Sequence, residues 1–167
     1  MGRFLTLTQL DEVLAEERAC GRRVVMANGC FDLLHVGHLR YLEAARAAGD
    51  VLVVVVNSDA SARALKGPGR PVTPEEERVE LLCGFRCTDY VVLWNENTMD
   101  GILRRVRPDV HAKGTDYGTP EQVPEYETVR SLGGRTVLVG DPKDHASRDL
   151  VARIVALHGH GGDPRKE

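Results

Sequence analysis

Val51-Leu52-Val53-Val54-Val55-Val56 is the stretch that most narrows the folds open to this chain. It is apolar at every position, where a strand with one wet face would alternate. It is also far shorter than the roughly 18 to 20 residues of a membrane span. A strand of this kind is buried on both sides, which implies helices on both faces of a parallel sheet. Further strand-like runs at 23–28, 90–93, 110–112 and 136–139 alternate with helical patterns at 35–48, 60–65, 74–85, 98–106, 125–132 and 147–157. The expected fold class is therefore α/β, one doubly wound Rossmann-like domain over residues 1–157 with a five-stranded parallel sheet. Thr8 is the expected cap of a first helix, and Thr73-Pro74-Glu75-Glu76 reads as another helix start. The glycine-rich, polar tail at 158–167 is expected to be disordered.

Bulk properties exclude some classes. A net charge of −3 over 167 residues gives no electrostatic footprint for nucleic acid or an acidic membrane. The charged amphipathic N-terminus does not resemble a signal peptide. Cys20, Cys30, Cys83 and Cys87 show no paired framework, so buried thiols in a reducing cytoplasm are expected. Cys83 and Cys87 share a helix face, but no second ligand pair accompanies them, so no protein-held metal site is expected. Trp94 reads as a packing residue.

The chemistry concentrates where the first long strand hands over to a helix. Asn28-Gly29-Cys30-Phe31-Asp32 follows the apolar run, and His35-Val36-Gly37-His38 opens the helix. A strand-to-helix junction of this kind is a ready anion site, because free backbone N–H groups point outward there. Residues three apart share a helix face, so His35 and His38 can address one phosphate, while Gly37 leaves room for close approach. Backbone amides near Cys30 and Phe31 are further donors. The expected ligand is a nucleoside triphosphate, with Cys30 a small neighbour rather than a nucleophile.

The segment Asn28 to His38 resembles the signature of the cytidylyltransferase-like nucleotidyltransferases, and within them the bacterial heptose 1-phosphate adenylyltransferases. The similarity extends through Val56-Asn57-Ser58-Asp59-Ala60-Ser61, Leu65-Lys66-Gly67, Arg70-Pro71-Val72, Glu77-Arg78 and Lys113-Gly114-Thr115-Asp116-Tyr117. It spans about residues 5–154. Members occur alone or fused to a sugar kinase; no kinase half is found here, so a separate protein is expected to phosphorylate the sugar.

The resemblance implies direct transfer: a sugar 1-phosphate oxygen attacks the α-phosphorus of ATP, or of CTP, and pyrophosphate leaves. Alignment and charge neutralisation carry such a reaction. His35, His38, Lys66 and Arg78 are then the catalytic candidates, Lys66 receiving the acceptor phosphate. Asn28, Gly29, Cys30, Phe31, Gly37, Lys113, Gly114, Asp116, Ser147 and Arg148 fall on the nucleotide side. Asp32, Asn57, Asp59, Lys66 and Arg70 fall on the acceptor side, although Asp59 also reads as a helix cap. Magnesium is expected to be held mainly by the substrate phosphates. A homodimer is implied as well.

One departure stands out. The family's Ser-Thr-Thr run before the last helix is replaced by Ala146-Ser147-Arg148. Arg148 either substitutes a charge for the lost hydroxyls or points away. Two alternatives stay open: a cytidylyltransferase acting on a heptose phosphate, glycerol 3-phosphate or another polyol phosphate, and a non-catalytic nucleotide-binding module. Replacing both histidines would leave such a module functional and abolish an enzyme.

Overall fold

The computed structural model describes residues 1–141 and 147–158. Of the tail expected at 158–167, His158 instead ends the last helix, while 159–167, with Ala146 of the departure noted above, lie outside these residues. The valine-rich run forms β3 (Val51–Asn57), buried along its whole length. On one side of it lies β2 (Val24–Gly29), on the other β4 (Tyr90–Trp94), both parallel. β5 (Val110–Lys113) pairs with β2, and β6 (Arg135–Leu138) pairs with β5.

The sheet has six strands rather than five, in the order β1-β4-β3-β2-β5-β6. The additional strand, β1 (Arg3–Phe4), is two residues long with both side chains exposed. It carries no apolar signal; backbone pairing to the edge of β4 makes it, with Leu5 N–H donating to Val91 O at 2.9 Å.

Alternate residues of the strands feed two cores. Val24, Met26, Val53, Val55 and Val92 pack with α1 (Leu7–Ala19), α5 (Asp100–Val106) and α6 (Tyr126–Ser131). Val25, Ala27, Val54, Val56 and Val91 pack with α2 (Val36–Arg46) and α4 (Glu75–Gly84). The remaining helices are α3 (Asp59–Lys66) and α7 (Ser147–His158). Each buried valine or leucine contributes about 1.5–3 kcal/mol, so the two-sided burial of β3 anchors the whole sheet.

Three local expectations change. Thr6, not Thr8, caps α1: its hydroxyl accepts the Gln9 N–H, and the Gln9 side chain accepts the Thr6 N–H. α4 begins at Glu75 without a side-chain cap, because Thr73 sits outside the helix with its N–H donated to Asp32. Ser58, not Asp59, caps α3, its Oγ accepting the Ser61 N–H at 3.2 Å. Trp94 is a packing residue, 8% exposed, with its indole N–H donated to Thr98 O.

The chain crosses from β2 to β3 in one direction and reaches β5 on the other side of β2. The carboxyl ends of β2 and β5 therefore flank the point where the winding reverses, where open α/β sheets bind ligands.

Candidate active site

β2 ends in Asn28-Gly29 and α2 starts at Val36, with His35 as its extended N-cap residue at φ −143°. His38 is the third residue of the helix, and its ring folds back so that Nδ1 accepts the His35 backbone N–H at 3.3 Å. The two imidazoles lie 3.9 Å apart between ring centroids, inclined by 30°. A bonded Nδ1 places the neutral ring's proton on Nε2, leaving His38 a donor at its outer edge. Burial, then the neighbouring His35, push the His38 pKa down to about 4, against a smaller upward pull from Asp32. The resting side chain is thus a neutral donor.

The loop leading to this pair is unusual in its backbone. Phe31 and Leu33 adopt φ of +51° and +49°, a region that costs side-chain-bearing residues about 1–3 kcal/mol. Several bonds hold the loop there. Arg78, fully buried on α4, donates Nη1 to Cys30 O, Nε to Thr73 O at 3.0 Å and Nη2 to Asp59 at 2.8 Å. Ser147 donates its hydroxyl to Asp32 O at 2.6 Å, tying the start of α7 to the same loop.

Asp32 is 8% exposed and accepts from Arg70 Nη1 at 2.6 Å and from the N–H groups of Val72 and Thr73. Burial opposes its ionisation, but the bonds from Thr73, Arg70 and Val72 outweigh that and hold its pKa below the usual value. Arg70 and Arg78 thus have carboxylate partners within the protein. Asn57 is likewise turned inward, 2% exposed, with Nδ2 donated to Ser61 Oγ and Oδ1 accepting from Cys30 Sγ at 3.8 Å.

Lys66 is different. It ends α3, is exposed, and precedes Gly67, whose φ of +90° turns the chain away. Its charge lies close enough to pull on the Cys30 thiol, although burial dominates and raises that thiol's pKa. Cys30 is accordingly protonated at neutral pH, in keeping with a packing rather than a nucleophilic part.

At the end of β5, Lys113 is mostly buried, 3.5 Å from Glu125 Oε1 and over the Tyr117 ring at 5.6 Å. A Cβ at Gly114 would lie 2.7 Å from Asp116 Oδ1, so a side chain there would displace that carboxylate. Tyr41 of α2 donates its hydroxyl to Ala112 O at 2.8 Å, and a Cβ at Gly140 would lie 3.2 Å from the Tyr41 Cα, so the chain passes close to α2 there. These contacts bring α2 and the segments after β5 and β6 to one rim. Arg148 does not join it: its side chain is 85% exposed and pairs with Asp149 at 3.8 Å.

Sequence reading missed three residues here: Tyr41, Glu125 and His111. His111 offered a signal, since a histidine inside a buried strand needs a partner. Its Nε2 lies 2.8 Å from Asn28 Oδ1.

Two imidazoles thus stand at a helix start over the switch point of a parallel sheet, where folds of this class take anionic ligands. The chain belongs to the cytidylyltransferase-like family, whose model matches residues 26–153, and it is a nucleotidyltransferase. It is 46% identical over 152 residues to the Bifunctional protein HldE of Syntrophotalea carbinolica, covering 91% of this chain and 31% of that protein. The HldE of Geobacter sulfurreducens is 45% identical over 153 residues, 92% of this chain and 31% of that protein. The chain thus spans under a third of the length of these relatives. A crystal structure of the lipopolysaccharide core biosynthesis protein from Thermoplasma volcanium GSS1 superimposes with a TM-score of 0.64 at 32% identity, covering 74% of this chain and 100% of that one.

Proposed function

We propose that this nucleotidyltransferase moves a nucleoside monophosphate, AMP from ATP, onto a heptose 1-phosphate. The acceptor phosphate oxygen forms a bond to the α-phosphorus as the bond from that phosphorus to the bridging oxygen breaks. Pyrophosphate leaves with the electron pair, and no protein nucleophile intervenes. The bond from the His35 N–H to His38 Nδ1, which leaves Nε2–H as the ring's donor, is the observation that carries this reading. It gives a fixed neutral donor where negative charge grows on the leaving group.

Around that donor the other residues divide by their surroundings. Lys66, exposed beside the loop, suits the acceptor phosphate, and Lys113 at the end of β5 suits the triphosphate. Arg78, Asp32, Arg70 and Asp59 are bonded to one another or to the backbone, and Asn57 to the side chains of Ser61 and Cys30, which suits a scaffold. Among the described residues no three His, Cys, Asp or Glu side chains cluster to hold a metal ion. Magnesium would arrive on the triphosphate and screen its charge, with no carboxylate cage from the protein.

Heptose phosphate as the acceptor rests on the likeness to HldE and to a lipopolysaccharide core biosynthesis protein. α7 turns Leu150, Ile154 and Leu157 to solvent along one side, and a second copy of the chain is the cover we assign to them. Among the described residues no helix is long and apolar enough to cross a membrane.

The test is a pyrophosphate-release assay crossing ATP, CTP, GTP and UTP with heptose 1-phosphates and glycerol 3-phosphate. Fastest release with ATP and a heptose 1-phosphate is expected. Preference for CTP or glycerol 3-phosphate would move the assignment to a cytidylyltransferase, and no release with any pair would defeat it.

A further inference from the structure

His111 lies fully buried in β5, with Thr136 of β6 opposite it in register. In register it faces Met26 of β2, and Asn28 lies two residues further along the same face of that strand. The imidazole leans forward to Asn28, with Nε2 2.8 Å from Oδ1. Among the described residues its other nitrogen, Nδ1, is buried with no hydrogen-bond partner.

That asymmetry fixes the direction of the bond. A proton on Nδ1 would be a buried donor with nowhere to go, whereas a bare acceptor is the smaller penalty. Nε2 therefore carries the proton and donates to Oδ1. Asn28 Oδ1 is then occupied, and the planar carboxamide presents Nδ2 on its opposite side. Among the described residues Nδ2 has no partner, and Asn28 is only half-buried, at the carboxyl end of β2 beside the switch point.

A carboxamide can turn by half a rotation about its last bond, exchanging oxygen for nitrogen at small steric cost. With His111 in place the turned form would set two donors against each other. We propose that His111 is a positioning residue, locking Asn28 in the one orientation that points its NH2 group at the triphosphate. The inference rests on the nucleotidyltransferase reading of the site and adds to it a residue outside the ligand's reach. Burial, with a further push from Lys113, lowers the His111 pKa to about 3, so the pair keeps this form through the neutral range.

The experiment combines one spectroscopic and two functional readouts. Nitrogen-15 NMR of the wild-type protein should show His111 protonated at Nε2 alone. Inorganic triphosphate should shift the Asn28 side-chain amide signals in the wild type. His111→Leu should raise the nucleotide KM and the triphosphate Kd about tenfold, the scale of one hydrogen bond, with the sugar-phosphate KM unchanged. His111→Gln, which keeps a donor near Nε2, should recover most of that loss. Asn28→Ala should lose as much as His111→Leu, and the double variant no more than either. An Nδ1–H tautomer, additive losses, or an unaltered nucleotide KM in His111→Leu would overturn the proposal. If His111→Leu fails to fold, the tautomer and the glutamine variant decide it. A wild-type protein that binds triphosphate yet transfers nothing would defeat the nucleotidyl-transfer reading, and the triphosphate arm would still judge His111.

Discussion

The His35 backbone N–H donates to His38 Nδ1 at 3.3 Å, so one histidine sets the proton position of the other. The bond leaves Nε2–H as the outward group of His38 and makes protonation of the ring unfavourable, since Nδ1 is engaged as an acceptor.

His38→Ala is expected to lower kcat about a hundredfold or more, the usual loss on removing one donor aimed at developing charge. His35→Ala should do the same. Each variant should keep a native melting curve, because both rings are at the rim rather than in either core. Steady-state kinetics beside thermal unfolding separates the two effects, and an unimpaired kcat would contradict the assigned role.

Lys66→Ala is expected to raise the KM of the sugar phosphate about tenfold or more, the scale of a charge-assisted hydrogen bond, with a smaller effect on nucleotide KM. Titrating each substrate at saturating levels of the other measures the split. A larger effect on the nucleotide would reverse the assignment of Lys66.

Arg78→Met is expected to cost about 3 kcal/mol of stability, as for one partner removed from a buried ion pair. Cys30 O, Thr73 O and Asp59 all lose a donor together. Urea unfolding gives the value. A variant as stable as wild type but inactive would instead make Arg78 a direct substrate contact.

Acid should destabilise the protein in two stages. His38 and His111 have folded pKa values of about 4 and about 3, below the roughly 6.5 of an unfolded histidine. The unfolded chain therefore binds more protons between these limits. The stabilisation is complete above about pH 6.5 and drains away as pH falls through that window. Asp32, also depressed, adds its loss below about pH 4. Denaturant unfolding at pH 7 and pH 5 should show the first stage, and His111→Leu should flatten it.

Much of this was readable from residue pattern, and the exceptions have physical causes. The continuous apolarity of 51–56 reported the two-sided burial of β3 directly, and the β2–α2 junction reported an anion site. β1 escaped notice because Arg3–Phe4 is a strand by backbone pairing alone. Charged residues were the harder part. Arg78 and Lys66 look alike as cations in a string of letters. Only the packing of α4 shows that one is sealed beneath the loop while the other stands in solvent. The bond from His111 to Asn28 joins residues 83 apart, a pairing that only the strand register brings about.

Asp32 serves three stretches of chain at once. Its carboxylate takes Arg70, Val72 and Thr73, while its carbonyl takes Ser147 from a helix more than a hundred residues later. The turn after α3, the histidine loop and the start of α7 hence share one mechanical joint. A blow to that joint, as in Asp32→Ala, would be felt on both substrate sides together rather than on either alone.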